Sequence, residues 1–218
     1  MSYSLIVTWS PRTWILMALA GWMVGVVAGC TTIEPRNGSI AVDEENSPFS
    51  HELLDRVLGS AVDDRGRVDY RALAKRPQEL DSYYRLLTRV SPDSHPQLFP
   101  RQNDRLAYWI NAYNAAVLRT VLEYYPITTV GDVRAPWPLF FMPERSGFFY
   151  FQRPLFGGEK ISLYDLENDI VRARFDDARI HFALNCASAS CPQLPRRAFR
   201  GDELDDSLDR ETRTFVGA

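Results

Sequence analysis

Arg179–Pro192 reads RIHFALNCASASCP, a histidine, an asparagine, two cysteines and a proline within one short stretch. Ile180, Phe182, Leu184 and Cys186 alternate with His181, Ala183, Asn185 and Ala187. Alternation predicts a strand, because successive side chains of a strand leave opposite faces. The apolar set is the predicted core face, which makes Cys186 a small buried hydrophobe. Ala187–Ser190 follows as a small polar loop, with Cys191 at its end and Pro192 restricting what comes after. His181, Asn185 and Cys191 are therefore the candidates for chemistry, displayed where a strand runs into a loop.

The longest periodic segment lies upstream. Leu106, Ile110, Tyr113, Val117, Val121 and Tyr124 form one apolar ridge, and Ala107, Leu118, Leu122 and Tyr125 a second. Asp104 is the expected cap, and Pro126 ends the helix because a proline disfavours helical geometry in the residue before it. The helix is apolar almost all round and so belongs in the core. Asn111 and Asn114 lie one turn apart on it. Buried amides need hydrogen-bond partners. They either hold the backbone of a neighbouring loop or line a binding site.

Working outward, Phe49, Leu53, Leu54, Val57, Leu58 and Ala61 fall at helical spacing, as do Leu80, Tyr83, Tyr84, Leu87 and Val90. Between them Asp63–Gly66 is a turn and Val68-Asp69-Tyr70 extends from it. His95 sits in a proline-rich loop with no acid or cysteine clustered near it, and reads as a solvated residue. Phe148–Gln152 and Leu155–Leu163, joined through Gly157-Gly158, predict a hairpin with an aromatic face. Ser162-Leu163-Tyr164-Asp165 resembles a capping box opening a helix through Leu166, Ile170, Val171 and Phe175. Glu167 and Asp169 with Arg172 and Arg174 give that helix a charged face, and Glu167 is a candidate binding residue. Leu204, Leu208 and Phe215 suggest a last helix. The fold class is α+β, with N-terminal and central helices packed on a small, mainly antiparallel sheet.

The N-terminus carries an address. Trp14–Ala28 is an uncharged apolar run, short for a membrane span and suited to the apolar region of a signal peptide. It ends in Val27-Ala28-Gly29-Cys30, which resembles a bacterial lipobox. The resemblance implies cleavage before Cys30 and acylation of that residue. Several acyl chains give stable anchoring, because each buried CH₂ contributes about 0.8 kcal/mol. Removing residues 1–29, whose only charge is Arg12, leaves 189 of the 218 residues and moves the formal charge from −3 to −4. That length supports one domain with a core. A mildly acidic chain without a basic run argues against nucleic acid as a partner. Residues 30–47 read as a lipidated tether and 48–218 as the domain. Thr31, rather than Asp, after the cysteine points to the periplasmic face of the outer membrane of a Gram-negative bacterium. The membrane is then one partner, and a protein, peptide or cell-wall ligand the other. No cofactor is expected.

Gly66-Arg67-Val68-Asp69-Tyr70, Tyr108-Trp109-Ile110-Asn111-Ala112-Tyr113-Asn114, Ser162–Glu167 and the central His181–Pro192 together resemble the family catalogued as domain of unknown function 547. The resemblance runs from about residue 49 to the C-terminus. It implies further strands after the last helix, so the chain is expected to stop short of a full family domain. It implies no established activity.

Three readings of the central stretch stay open. In the first, Cys186 and Cys191 form a structural disulfide, as an oxidising compartment allows, and the domain binds a ligand or scaffolds a complex. In the second, Cys191 is the nucleophile of a hydrolase or acyltransferase acting on peptide or cell-wall amides. His181 is its base, and Asn185 or the Asn111/Asn114 pair orients the imidazole or donates to an oxyanion. Papain-like and transglutaminase-like folds offer an analogy, although they place the cysteine before the histidine, at the head of a helix. In the third, His181, Cys186 and Cys191 bind a metal. Alternation sets His181 and Cys186 on opposite faces, and the spacing lacks the paired form of common zinc sites.

Overall fold

The computed structural model describes residues 29–36, 49–188 and 191–217. The apolar run ahead of Gly29, and with it the predicted signal peptide, lies outside the described residues. The helices are α1 (Glu52–Ala61), α2 (Tyr70–Lys75), α3 (Gln78–Arg89), α4 (Gln102–Tyr124), α5 (Ser146–Phe149), α6 (Leu163–Asp165, continued as a π-helix over Leu166–Arg172) and α7 (Leu204–Val216). The strands are β1 (Thr31–Ile33), β2 (Gln152–Phe156) and β3 (Glu159–Lys160).

Helix α4 is the axis of the core, buried from Leu106 to Leu122 without a break. It begins two residues before the predicted cap. Asp104 is the third helical residue, and its carboxylate accepts the Arg101 N–H at 3.2 Å while gripping the Arg101 guanidinium. Helices α1 and α3 pack together and α3 packs on α4, burying Leu54, Val57 and Leu58 against Leu80, Tyr83, Tyr84 and Leu87. Asp69 caps α2 by accepting from the Ala72 N–H at 2.9 Å. The predicted extension at Val68-Asp69-Tyr70 is thus a single bridge, Val62 to Val68, followed at once by a helix.

The sheet is α+β in kind but mixed in direction. β2 and β3 form a hairpin with Gly157 and Gly158 at its bend, both at positive φ, but its strands are shifted from those expected, and Phe148 and Phe149 belong to helix α5. β1 pairs with β2 in parallel, Thr31 opposite Gln152 and Ile33 opposite Pro154. The expectation of a mainly antiparallel sheet is corrected on this point, since one of its two pairings is parallel. Of the stretch expected as a tether, residues 37–47 lie outside the described residues. Residues 31–36 are lashed to the body. The Thr31 N–H donates to the Phe151 carbonyl at 2.9 Å. Tyr84 Oη donates to the Ile33 carbonyl at 2.8 Å, and the Arg119 guanidinium to the Glu34 carbonyl at 3.0 Å. Arg36 in turn donates to the Leu122 carbonyl at 3.1 Å. Ile33 is part of the core.

Candidate functional site

The predicted strand at Ile180–Cys186 is not one. Asp177 accepts from the Arg179 N–H at 2.9 Å and caps a 3₁₀ turn over Ala178–Phe182. Arg179 is clamped by Asp177, Asp205 and Asp209 at 2.6–2.7 Å, which holds this turn against α7. The burial pattern follows the turn rather than an alternation. Ile180, Ala183 and Leu184 are buried, His181 is exposed, and Phe182 and Cys186 are half-buried. Cys186 is therefore not a core hydrophobe.

A strand would have satisfied its backbone through a neighbouring strand. Here the amides of α4 take that part. Asn114 Nδ2 donates to the Ala183 carbonyl at 2.9 Å and its Oδ1 accepts the Asn185 N–H at 2.9 Å. Asn111 makes the same pair of bonds to Phe199, donating at 2.8 Å and accepting at 2.9 Å. Both amides are buried and bonded to backbone. Asn185 is bonded to backbone likewise. Its Nδ2 donates to the Pro192 carbonyl at 2.7 Å and its Oδ1 accepts the Ala187 N–H at 2.9 Å, bridging the base of the loop.

Cys186 and Cys191 are joined as a disulfide across that loop, with their Cα atoms 5.9 Å apart, inside the usual span. Ala187 takes a left-handed conformation, φ 53°, at the turn. The two cysteines border two different cavities. The first, about 680 Å³, lies between the Gly66 turn and the disulfide loop, lined by Gly66, Arg67, Val68 and Tyr70 on one side and by Asn185, Ser188, Cys191 and Pro192 on the other. Gly66 has φ +69°, and a Cβ there would fall 2.5 Å from Gln193 Cβ, so this close approach needs glycine. The second cavity, about 510 Å³, is lined by Tyr113, Arg145, Tyr150, Tyr164, Glu167 and Cys186. Tyr150 and Tyr164 stack there at 4.2 Å.

The polar groups differ between the two. Tyr70 lines the first cavity, and its hydroxyl is buried, closed to water and without a hydrogen-bond partner. Burial pushes its phenol well above the ordinary value, so it stays a neutral donor. Arg67 is paired with Asp63 at 2.7 Å, and this bond holds the Asp63 carboxyl down to about 2. Arg65 reaches the same cavity. In the second cavity Glu167 is bound to Arg172 at 2.8 Å and is approached by the Tyr113 hydroxyl at 3.5 Å. Burial, with the Glu167 charge second, pushes the Tyr113 phenol up.

The predicted residues are thus divided. Cys191 and Asn185 border the first cavity, and Cys186 and Glu167 the second. His181 lines neither, and its Nδ1 faces the Arg172 guanidinium at 3.3 Å. A paired Cys191 sulfur and a histidine turned to arginine do not make a thiol–base couple in this form. Among the described residues no three His, Cys, Asp or Glu side chains gather as a metal site, and no helix is long and apolar enough to cross a membrane. Sequence reasoning missed Tyr70 and Arg65, which stand out only once the cavity is seen. The motif containing Tyr70 was visible, but nothing local marks its hydroxyl as unpaired.

Fold and site together define a helix-rich α+β domain in which a disulfide-closed loop walls a cavity of the size that takes small ligands. The chain belongs to the family described as "Protein of unknown function, DUF547", whose model matches residues 97–216. The match takes in α4, the hairpin and the disulfide loop, while the Gly66–Tyr70 wall precedes it. No curated protein and no solved structure matches the chain.

Proposed function

We propose that this chain is an exported, lipid-anchored envelope protein whose domain binds a peptide or cell-wall fragment in the cavity between the Gly66 turn and the Cys186–Cys191 loop. The observation that supports a ligand there is the Tyr70 hydroxyl. Tyr70 lines the cavity, and its hydroxyl, closed to water, lacks a partner at a cost of about 1–3 kcal/mol, which a ligand acceptor inserted beside the ring would remove. Arg65 and Arg67 at the same cavity favour a fragment carrying a carboxylate. In this reading the disulfide, Asn185 and Asn114 have one task, to hold the far wall in register with the Gly66 turn.

The test is calorimetric titration of the exported protein with soluble peptidoglycan fragments and with peptides ending in a free carboxylate. Saturable binding that Tyr70→Phe weakens, with thermal stability retained, supports the reading. No binding to either class, or binding indifferent to both Tyr70→Phe and Arg65→Ala, overturns it.

One observation keeps a second reading in play: Cys191 borders the same cavity. Reduced, it would present a thiol to a bound amide. Alkylation of the exported protein without reductant separates the two, since the binding reading requires both thiols blocked as the disulfide.

A further inference from the structure

Three large aromatic side chains on one short segment are each more than half exposed. Trp137 is 66% exposed, Phe140 64% and Phe141 74%. They lie on and just before the 3₁₀ turn Leu139–Phe141, with the two phenylalanine rings 6.3 Å apart. Single exposed apolar residues need no explanation, but three aromatics on one projection mark an interaction surface. The identity of what covers it follows from the neighbouring chain. Gly29 packs on the first residue of this projection, such that a Cβ at Gly29 would fall 2.8 Å from Pro136 Cγ. The next residue is Cys30, exposed and free. The residue after that is the first of β1, whose N–H is already bonded to the Phe151 carbonyl.

Cys30 is therefore one residue from a rigid strand, which holds it at this corner after cleavage, and in the uncleaved chain it follows the glycine packed on the aromatic projection. Consecutive Cα atoms are about 3.8 Å apart, so Cys30 cannot leave this corner of the domain without breaking the β1 pairing. Acyl chains attached there would hold Trp137, Phe140 and Phe141 against the leaflet the chains enter. Tryptophan and phenylalanine suit that depth, with the indole at the headgroup boundary and the phenyl rings below it.

We propose that Trp137, Phe140 and Phe141 form a second membrane contact, which enters the interfacial layer of the leaflet carrying the acyl chains of Cys30 and docks the domain directly on the membrane. The proposal rests on the lipid-anchor reading. It also deepens that reading, because β1 leaves no slack between the anchor and the fold. The orientation of the domain on the membrane is then set by this corner.

Tryptophan fluorescence reads the contact directly. Of the five tryptophans, Trp9, Trp14 and Trp22 precede Cys30, and Trp109 is 1% exposed, which leaves Trp137 as the surface reporter of the processed chain. The processed protein is reconstituted into vesicles of phosphatidylethanolamine and phosphatidylglycerol, with and without brominated acyl chains, and the mass at Cys30 is measured on the same sample. The expected result is a blue shift on vesicles, quenching by bromolipid, and loss of both in Trp137→Phe. Phe140→Ser with Phe141→Ser is expected to speed transfer between vesicles roughly tenfold or more, because each ring withdrawn from the interface weakens the hold. An acylated Cys30 with Trp137 still fully open to aqueous quencher on vesicles overturns this proposal and leaves the anchor standing. An unacylated Cys30 with Trp137 quenched by bromolipid removes the anchor and leaves the contact standing. Neither acylation nor quenching overturns both. Shielding of Trp137 before any vesicle is added would assign the patch to another protein surface and also overturns the proposal.

Discussion

Replacing Asn111 by alanine removes two hydrogen bonds with one substitution. Its amide donates to the Phe199 carbonyl and accepts from the Phe199 N–H, and both residues are almost wholly buried, at 1% and 2% exposure. Alanine leaves both backbone groups of Phe199 without a partner, and water cannot reach them unless the segment around Phe199 lifts off α4. Each unsatisfied buried group costs about 1–3 kcal/mol, so the pair costs roughly 2–6 kcal/mol, with a central value near 4. That is a large share of the roughly 5–15 kcal/mol that holds a domain together. For a chain of this length 1 kcal/mol moves the melting temperature by roughly 2–4 °C, so Asn111→Ala should melt about 10 °C lower. Urea unfolding followed by circular dichroism gives the free energy, and thermal scans give the shift. Asn111→Asp sharpens the test. It keeps the acceptor for the N–H but sets a carboxylate against the carbonyl of Phe199, and should be at least as destabilised at neutral pH. A loss below about 0.5 kcal/mol for Asn111→Ala would mean that the amide does not carry this backbone, and the account of residues 198–200 would be wrong.

Other perturbations probe separate parts of the structure. His51 is buried against Tyr83 at 2.7 Å, and burial, with the Arg200 charge second, lowers its pKa to about 4. The unfolded chain takes up that proton near 6.5 and the folded one only near 4. Stability is therefore full above about pH 6.5 and falls by roughly 3 kcal/mol as pH drops to about 4, and His51→Asn should flatten that slope in urea titrations at several pH values. Arg119, buried, faces Asp81 at 3.2 Å, while burial pushes the Asp81 carboxyl up. Arg119→Met should cost about 3–5 kcal/mol by leaving the buried Asp81 without its ion-pair partner, and Asp81→Asn in the same chain should recover part of it; two independent, additive losses would deny the pairing. Opening the Cys186–Cys191 loop in Cys186→Ser with Cys191→Ser should lower stability by about 2 kcal/mol, the closure entropy of so short a loop, and weaken ligand binding in the first cavity; unchanged stability would remove the bracing role.

Much of the helical frame was legible in residue order. The ridges of α4 and the spacing in α1 and α3 are contiguous signals, and Gly157-Gly158 marked the hairpin bend where it stands. Even the alternatives for Asn111 and Asn114 could be framed from sequence, since an amide on an apolar helix has to be spent somewhere. Where it is spent was not legible, because Ala183, Asn185 and Phe199 lie far along the chain. The same distance explains the failed strand at Ile180–Cys186. Its alternation was real, but alternation makes a strand only where a neighbouring strand supplies hydrogen bonds, and here Asp177, Arg179 and Asn114 offered a closer solution. Thr31–Ile33 erred the other way. Three residues beside a polar stretch carry no periodicity, and only pairing with β2 makes them a strand.

By itself the sequence determined the class of the chain, its buried central helix, its capped turns and the features at Cys30 that suggest an anchor. These depend on neighbours within a turn or two, where spacing and φ preference act directly. Only the tertiary structure decided that the Gly66 turn faces the disulfide loop across one cavity, that Tyr70 is left without a partner there, and that the residue before Cys30 packs against the start of a projection carrying Trp137, Phe140 and Phe141. Those juxtapositions join segments far apart in the chain, and the burial of a shared core brings them together with no local pattern to announce it.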